Sequence, residues 1–313
     1  MTAPVLDPTP ETISRAAALL LEGGLVAMPT ETVYGLAGDA TNPKAVARIY
    51  ATKERPAFNP LIAHVATPEA AFAQGDFSAK ARALVEAVWP GPLTLVVNAT
   101  SDTTVCDLAR AGLDTLALRV PAHSVARRLL EATGRPLVAP SANPSGRISP
   151  TRAAHVAADF ADRIDLIIDG GPCPEGIEST VIDARGETPV LLRKGTLAPE
   201  AIEAVWPGLT EGGGEGKPVS PGQLLRHYAP DATLRLDADE ADPGEALLGF
   251  GAAGRHAVMN LSASGDLSEA AANLFAMLRE LDGAYDRIAV APIPKKGLGA
   301  AINDRLVRAA NQS

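Results

Sequence analysis

Lys53 and Arg55 stand two residues apart, with Glu54 between them and Pro56 after them. Proline disfavours helix in the residue before it, so Arg55 belongs to a loop where both cations can turn to one anion. A planar guanidinium fork beside a mobile ammonium is a common way to hold phosphates. Ser141 and Asn143 form a second spaced pair, supplying a hydroxyl and an amide that can meet phosphate oxygens or a base edge. Ser149 lies two residues ahead of Thr151, which is expected to cap a helix, and backbone N–H groups at a helix start can bind an anion. Each of these features taken alone is also ordinary surface or turn chemistry.

His64 and Arg119 are polar residues inside otherwise apolar runs, 61–65 and 115–120. Burying a guanidinium is costly unless it is paired, so Arg119 has to meet a carboxylate of the protein or of a ligand. His64 by itself reads more simply as a satisfied core histidine. The stretch 29–36, Pro-Thr-Glu-Thr-Val-Tyr-Gly-Leu, follows the short apolar run 25–28. Pro29 cannot donate to a sheet ladder, so the strand ends there and releases a loop rich in hydroxyls at its carboxyl end. In open α/β sheets that edge is where ligands bind. No HExxH, GxSxG or P-loop motif occurs, so zincin, hydrolase-elbow and Walker mechanisms gain no support.

The elements that must position these residues follow from caps, breakers and periodicity. Thr9-Pro10-Glu11 starts a helix whose Ile13, Ala16, Ala17 and Leu20 share a face, and Gly23 ends it. Asn42-Pro43 starts a second helix that delivers Lys53 at its end, and Ser78 caps a third running to Trp89. Strands are expected at 25–28, 61–65, 93–97, 115–120, 137–140 and 164–169, with 179–183 and 190–193 as a closing pair. Helices are expected at 125–132, after Thr151 and at 199–205. Strands and helices mix without a strict βαβ rhythm, which predicts a twisted mixed sheet in an α/β domain spanning 1–206. Residues 207–231, with a Gly212-Gly213-Gly214 run, have the composition of a flexible linker. From 232 to 313 the pattern predicts a smaller, more regular Rossmann-like α/β domain, with strands at 232–236 and 287–292. Its helices are expected near 244–248, at 268–281 and at 299–310, with the segment 256–261 among them.

With 313 residues, 46% of them hydrophobic and 21% charged, the chain is long enough for two domains with their own cores. A net charge of -9 argues against strong direct binding of nucleic-acid backbone. The two cysteines, Cys106 and Cys173, form no CxxC pair, so neither a zinc site nor a disulfide framework is suggested, and a reducing compartment fits. The amino end has no basic leader before an apolar core, and no run approaches the ~18 apolar residues of a membrane span. A cytoplasmic protein with no membrane partner is expected.

The ordered set of stretches is more specific than any one of them. PTETVYGL, then KERP with Asn59-Pro60-Leu61, PSANPSG with Ser149-Pro150-Thr151, and Gly176-Ile177-Glu178-Ser179-Thr180-Val181-Ile182-Asp183 closely resemble the YrdC-like threonylcarbamoyl-AMP synthases. That match runs through about residues 10–205. The later His227-Tyr228-Ala229-Pro230 and the 297–306 segment resemble the longer, two-domain form. The resemblance implies synthesis of L-threonylcarbamoyladenylate from L-threonine, bicarbonate and ATP with Mg²⁺, for threonylcarbamoyladenosine at position 37 of tRNA. It implies catalytic roles for Lys53 and Arg55. It places Thr32, His64, Arg119, Ala139 and Ser179 in the threonine pocket, and Arg55, Asn59, Thr115, Ser141, Asn143, Ser149, Arg193 and Tyr228 at ATP. It also implies no protein-side-chain metal site, Mg²⁺ being held mainly through ATP, and hand-over of the product to the tRNA threonylcarbamoyl transferase. Two positions depart from the family pattern: Lys194 stands where many relatives have proline, and Glu54 where glycine is common. Two other readings stay open at this level. One is an RNA-binding module using the cationic pocket, which steeply salt-dependent RNA affinity would mark. The other is a related domain that carbamoylates a different acceptor.

Overall fold

The structure, a computed structural model, describes residues 2–56, 58–160, 162–212 and 228–311. Among these residues twelve strands form one mixed sheet and four more form a second, all-parallel sheet. The large sheet runs in the order Val5–Leu6, Leu166–Ile168, Val26–Met28, Gly35–Asp39, Leu137–Val138, Ile62–His64, Thr115–Arg119, Leu93–Ala99, Thr180–Asp183, Val190–Arg193 and Thr210–Glu211. Gly75–Asp76 pairs alongside Leu93–Ala99.

Helices cover this sheet for reasons visible in their ends. Pro10–Leu21 begins with the Thr9 hydroxyl accepting from the N–H of Thr12, and buries Ile13, Ala16, Ala17 and Leu20. Pro43–Lys53 begins on the Asn42 side chain and ends as Glu54 enters the left-handed region at φ 54°. That turn sets the direction in which the chain leaves Lys53, and Arg55 follows into the loop. Ala79–Val88 is capped by Ser78 as the sequence predicts.

The four-stranded sheet runs Thr233–Arg235, Arg287–Val290, Ala246–Gly249, Met259–Asn260, and Leu267–Asp282 and Leu298–Ala310 pack on it. The core of this second unit is not closed by its own residues alone. Val33, Ile148, Ile177 and Tyr228 join its buried cluster beside Leu274, Phe275 and Ile302. Ion pairs reinforce the junction: Arg279 grips Asp159 at 3.1 and 2.6 Å, and Arg147 pairs with Asp231.

Several expectations need correction. The stretch 244–248 is not a helix; Ala246–Gly249 is a strand between Arg287–Val290 and Met259–Asn260. Gly244 takes φ 83°, and the short run after it buries Ala246 and Leu248 in strand alternation. Gly35–Asp39 is a strand hairpinned to Val26–Met28, where the sequence reads as loop through Leu36. Thr151 does not cap the following helix, which spans Ala153–Phe160; its hydroxyl is buried with no partner among the described residues, and its N–H donates to His155 Nδ1. Within 256–261 only Met259–Asn260 is strand, after a 3₁₀ turn at Ala252–His256. Of the expected linker, Thr210–Glu211 is an edge strand and residues 213–227 lie outside the described residues.

Candidate active site

The polar loop 29–36 folds onto itself through Thr30. Its hydroxyl donates to the Val33 carbonyl at 2.6 Å and accepts from the N–H groups of Thr32 and Val33. With that proton committed, the 2.9 Å contact between the Thr30 and Thr32 hydroxyls has Thr32 as donor. The Thr32 oxygen in turn accepts from Arg119 Nη1 at 3.0 Å. Sheet register brings the next two groups together, because parallel pairing of Ile62–His64 with Thr115–Arg119 sets His64 beside Arg119. Both side chains, with Thr32, Ala139 and Ser179, line one cavity of about 50 Å³.

Arg119 is 4% exposed and answers its burial with a protein carboxylate, Glu31, at 2.5 Å. Three of its N–H groups are spent, on Glu31, Thr32 and the Gly91 carbonyl. A guanidinium has five, so two remain for a ligand. Burial works to raise the Glu31 carboxyl, but Arg119 outweighs it and holds Glu31 below the usual carboxylate range. Burial, and then the positive charge of Arg119, lower His64 to about 3, so its ring is neutral at physiological pH. Its Nδ1 is buried without a partner among the described residues.

Arg55, Ser141, Arg193 and Tyr228 line the same cavity. Arg55 is fixed by the carbonyls of Asn59 and Pro60 at 3.2 and 3.0 Å. Burial lowers its pKa to about 10, which leaves it charged at neutral pH. Arg193 holds the Ser179 carbonyl and hydroxyl at 2.9 and 3.0 Å, and Ser179 also bonds Thr94 at 2.8 Å. Tyr228 is 1% exposed and stacks on Phe275 with ring centroids 5.4 Å apart.

Lys53 does something different from Arg55. It is 1% exposed, is not among the residues lining the cavity, and donates to the carbonyls of Ser141 and Asn143. Burial, reinforced by Arg55, pushes its pKa well down. Its own carbonyl accepts from the Ser145 N–H at 2.8 Å, so Lys53 holds the 141–145 turn against the loop that carries Arg55. Asn143 closes that turn onto the carbonyls of Pro144 and Arg147, and its side-chain oxygen is buried without a partner among the described residues. Glu54 points away from the site, toward Arg163 at 3.3 Å. Lys194 reaches Glu211 at 2.9 Å.

The structure therefore gathers Thr32, Arg55, His64, Arg119, Ala139, Ser141, Ser179, Arg193 and Tyr228 at one cavity. Lys53, Asn59, Asn143 and Ser149 are buried and outside its lining. Thr115 also lies outside it, four residues before Arg119 at the other end of their strand. Sequence reasoning assigned no role to Glu31 or to Glu178, which lines the cavity and accepts the Ser149 hydroxyl at 2.6 Å. Glu178 lay within a quoted motif, but its partners are distant in sequence.

Three arginines and a neutral histidine lining one cavity on a mixed sheet define a candidate small-molecule site. The comparisons agree with that class. The family model described as telomere recombination, Sua5/YciO/YrdC, matches residues 18–195, and the model for the threonylcarbamoyl-AMP synthase C-terminal domain matches 197–311. The threonylcarbamoyl-AMP synthase of Bacillus subtilis is 40% identical, with 95% of this chain and 92% of that one covered. The one from Pyrococcus abyssi is 42% identical, with 94% and 92% covered. The crystal structure of Pyrococcus abyssi Sua5 complexed with L-threonine superposes with TM-score 0.91 at 38% identity, covering 98% of each chain. The chain belongs to the Sua5/YciO/YrdC family, in its two-domain threonylcarbamoyl-AMP synthase form.

Proposed function

We propose that this chain is an L-threonylcarbamoyladenylate synthase, converting L-threonine, bicarbonate and ATP to threonylcarbamoyl-AMP, diphosphate and water for tRNA position-37 modification. The observation that carries the reading is the His64–Arg119 neighbour pair. Arg119 keeps two N–H groups for an amino-acid carboxylate, and His64 Nδ1, without a partner among the described residues, suits a hydroxyl or amine. Arg55 and Arg193 in the same lining suit the phosphates of ATP.

Bicarbonate gives up hydroxide to become CO₂; the amine of bound threonine adds to that carbon, forming a C–N bond, and the proton it sheds joins the hydroxide as the water product. A carbamate oxygen then attacks the α-phosphorus, and the bond to the leaving pyrophosphate breaks. His64 is too weakly basic to serve as a strong proton acceptor. Glu178 is held by Ser149 and by Arg305. Catalysis thus rests on positioning and on fixed positive charge, with Arg55 in contact with the nucleotide and Lys53 bracing the turn that carries Ser141 and Asn143.

Magnesium is expected with the ATP phosphates, whose charge it neutralises. Among the described residues no group of three or more His, Cys, Asp and Glu is placed to hold a metal.

The cavity is about 50 Å³, room for a few waters, and Tyr228 in its lining is buried. A shift of Tyr228 on ATP entry and its return over the site would shield the labile adenylate from water. Tyr228→Ala should raise hydrolysis of the adenylate; unchanged product lifetime would remove the lid role. The division into 1–206, 207–231 and 232–313, a cytoplasmic location and hand-over to a tRNA threonylcarbamoyl transferase complete the proposal. Among the described residues no helix is long and apolar enough to cross a membrane.

The test is pyrophosphate release with Mg²⁺ and ATP, adding threonine and bicarbonate separately and together. Release only when both are present supports the synthase. Release with neither, or with another carbamoyl source, overturns the substrate assignment.

A further inference from the structure

We infer that Thr94 is a positioning residue for the amino-acid substrate: it donates to the Ser179 hydroxyl and so leaves the Ser179 proton for an anionic oxygen of that substrate. This rests on the synthase reading of the cavity. Thr94 is the one hydroxyl in the apolar run Leu93-Thr94-Leu95-Val96-Val97 of the strand Leu93–Ala99. Parallel pairing with Thr180–Asp183 sets Thr180 opposite Leu93 and Val181 opposite Thr94, and the Thr180 N–H donates to the Pro92 carbonyl at 3.0 Å. The residue just ahead of that strand, Ser179, is thereby brought against Thr94. Both are fully buried, with their hydroxyl oxygens 2.8 Å apart.

The number of protons decides which hydroxyl donates. Each hydroxyl has one proton and two lone pairs, whereas a guanidinium only donates. The Ser179 oxygen accepts from Arg193 Nη2 at 3.0 Å, so that contact takes up neither hydroxyl proton. Among the described residues each of the two hydroxyls then has only the other as an acceptor, and one proton is left over. A buried donor left unmet is costly. Thr94 lies outside the cavity lining and Ser179 belongs to it, so a ligand can meet only the Ser179 proton. Binding of an acceptor therefore selects the arrangement in which Thr94 donates to Ser179. Arg193 and Thr94 then fill both Ser179 lone pairs, so the hydroxyl cannot accept from the substrate's amine. Arg119 and Arg193 in the same lining favour a negatively charged acceptor, the threonine carboxylate or the carbamate oxygen made from it.

The experiment uses the full-length protein as Thr94→Val, Thr94→Ser, Ser179→Ala and the double variant Thr94→Val/Ser179→Ala. Valine keeps the β-branched shape that suits a strand and removes only the hydroxyl. At saturating ATP and bicarbonate, Thr94→Val is expected to lower kcat/KM for threonine about three- to tenfold, with Thr94→Ser within about twofold of wild type. Ser179→Ala should lose at least as much, and adding Thr94→Val to it should cost nothing more, because Thr94 acts through Ser179. A matching loss in calorimetric threonine binding assigns the donor to the carboxylate; unchanged binding with lowered kcat assigns it to the carbamate. Neutron diffraction from deuterium-exchanged crystals with L-threonine bound should show the Thr94 deuteron directed at Ser179 Oγ, a readout that holds even if Thr94→Val does not fold. Additive losses in the double variant, full activity in Thr94→Val, or a Ser179 deuteron directed at Thr94 overturns the inference. Wild-type pyrophosphate release that needs both threonine and bicarbonate tests the synthase reading separately.

Discussion

Replacing Arg119 with methionine should make stability depend on pH in a way the wild-type protein does not. The Arg119–Glu31 pair is 2.5 Å long, with side chains 4% and 6% exposed. Removing one member of such a buried pair costs about 3–5 kcal/mol, because the other charge is left without compensation. In the wild type, Arg119 lowers the Glu31 carboxyl against burial, which alone would raise it. Its lowered folded pKa contributes stability above the ordinary carboxylate range, lost as pH falls through the folded value. In Arg119→Met burial dominates and the carboxyl moves up, so the sign reverses. The penalty is absent below the ordinary carboxylate range and grows as pH rises through the raised value. Comparing Arg119→Met with Arg119→Met/Glu31→Gln isolates this, since His64 titrates in both. Urea unfolding should find the two alike near pH 4 and the double variant more stable by about 2 kcal/mol at pH 8. A pH-independent difference, or a more stable single variant at pH 8, would refute the argument that Glu31 is charged and buried because Arg119 pairs with it.

Arg55→Ala and Lys53→Ala should each lower turnover about a hundredfold with far-UV circular dichroism unchanged, the first through lost phosphate contact and the second by freeing the 141–145 turn. Near-normal activity in either would remove its assigned role. His64, whose folded pKa is about 3, binds its proton first in the unfolded chain, so stability falls as pH drops from about 6.5 toward 3. About 2 kcal/mol of that loss should be present at pH 5 and absent in His64→Gln, as read by urea unfolding at both pH values. Gly176 has φ 73° and a Cβ there would lie 2.3 Å from the Ala271 carbonyl oxygen, so Gly176→Ala should push the two halves apart. A fall of several degrees in Tm is expected, roughly the effect of 2 kcal/mol in a chain of this size. Chelation of Mg²⁺ should abolish pyrophosphate release and leave threonine binding by calorimetry intact.

What the sequence discloses and what it hides divide along sequence separation. Thr9, Asn42 and Ser78 cap their helices because a cap is written within four residues, and the loops carrying Arg55 and Ser141 are marked by adjacent prolines. The short runs fail where the partner strand, not the local residues, decides: 244–248 becomes strand because it lies between two parallel neighbours. The same limit applies to charge. Arg119 announces that it needs a carboxylate but not which one, and its partner Glu31 stands 88 residues away. Two N–H groups remain after the bonds to Glu31, Thr32 and Gly91, so pairing with a protein acid does not use up the guanidinium. Glu178 and Arg305 are separated by 127 residues and belong to different sheets' surroundings, so no spacing could join them. Lys53 shows the converse. Its spacing from Arg55 suggests two cations turned to one phosphate, yet helix geometry leaves Lys53 inside the last turn of Pro43–Lys53, while the left-handed Glu54 sends Arg55 out into the loop. A single backbone conformation between the two residues thereby sets Arg55 in the cavity lining and Lys53 against the carbonyls of Ser141 and Asn143.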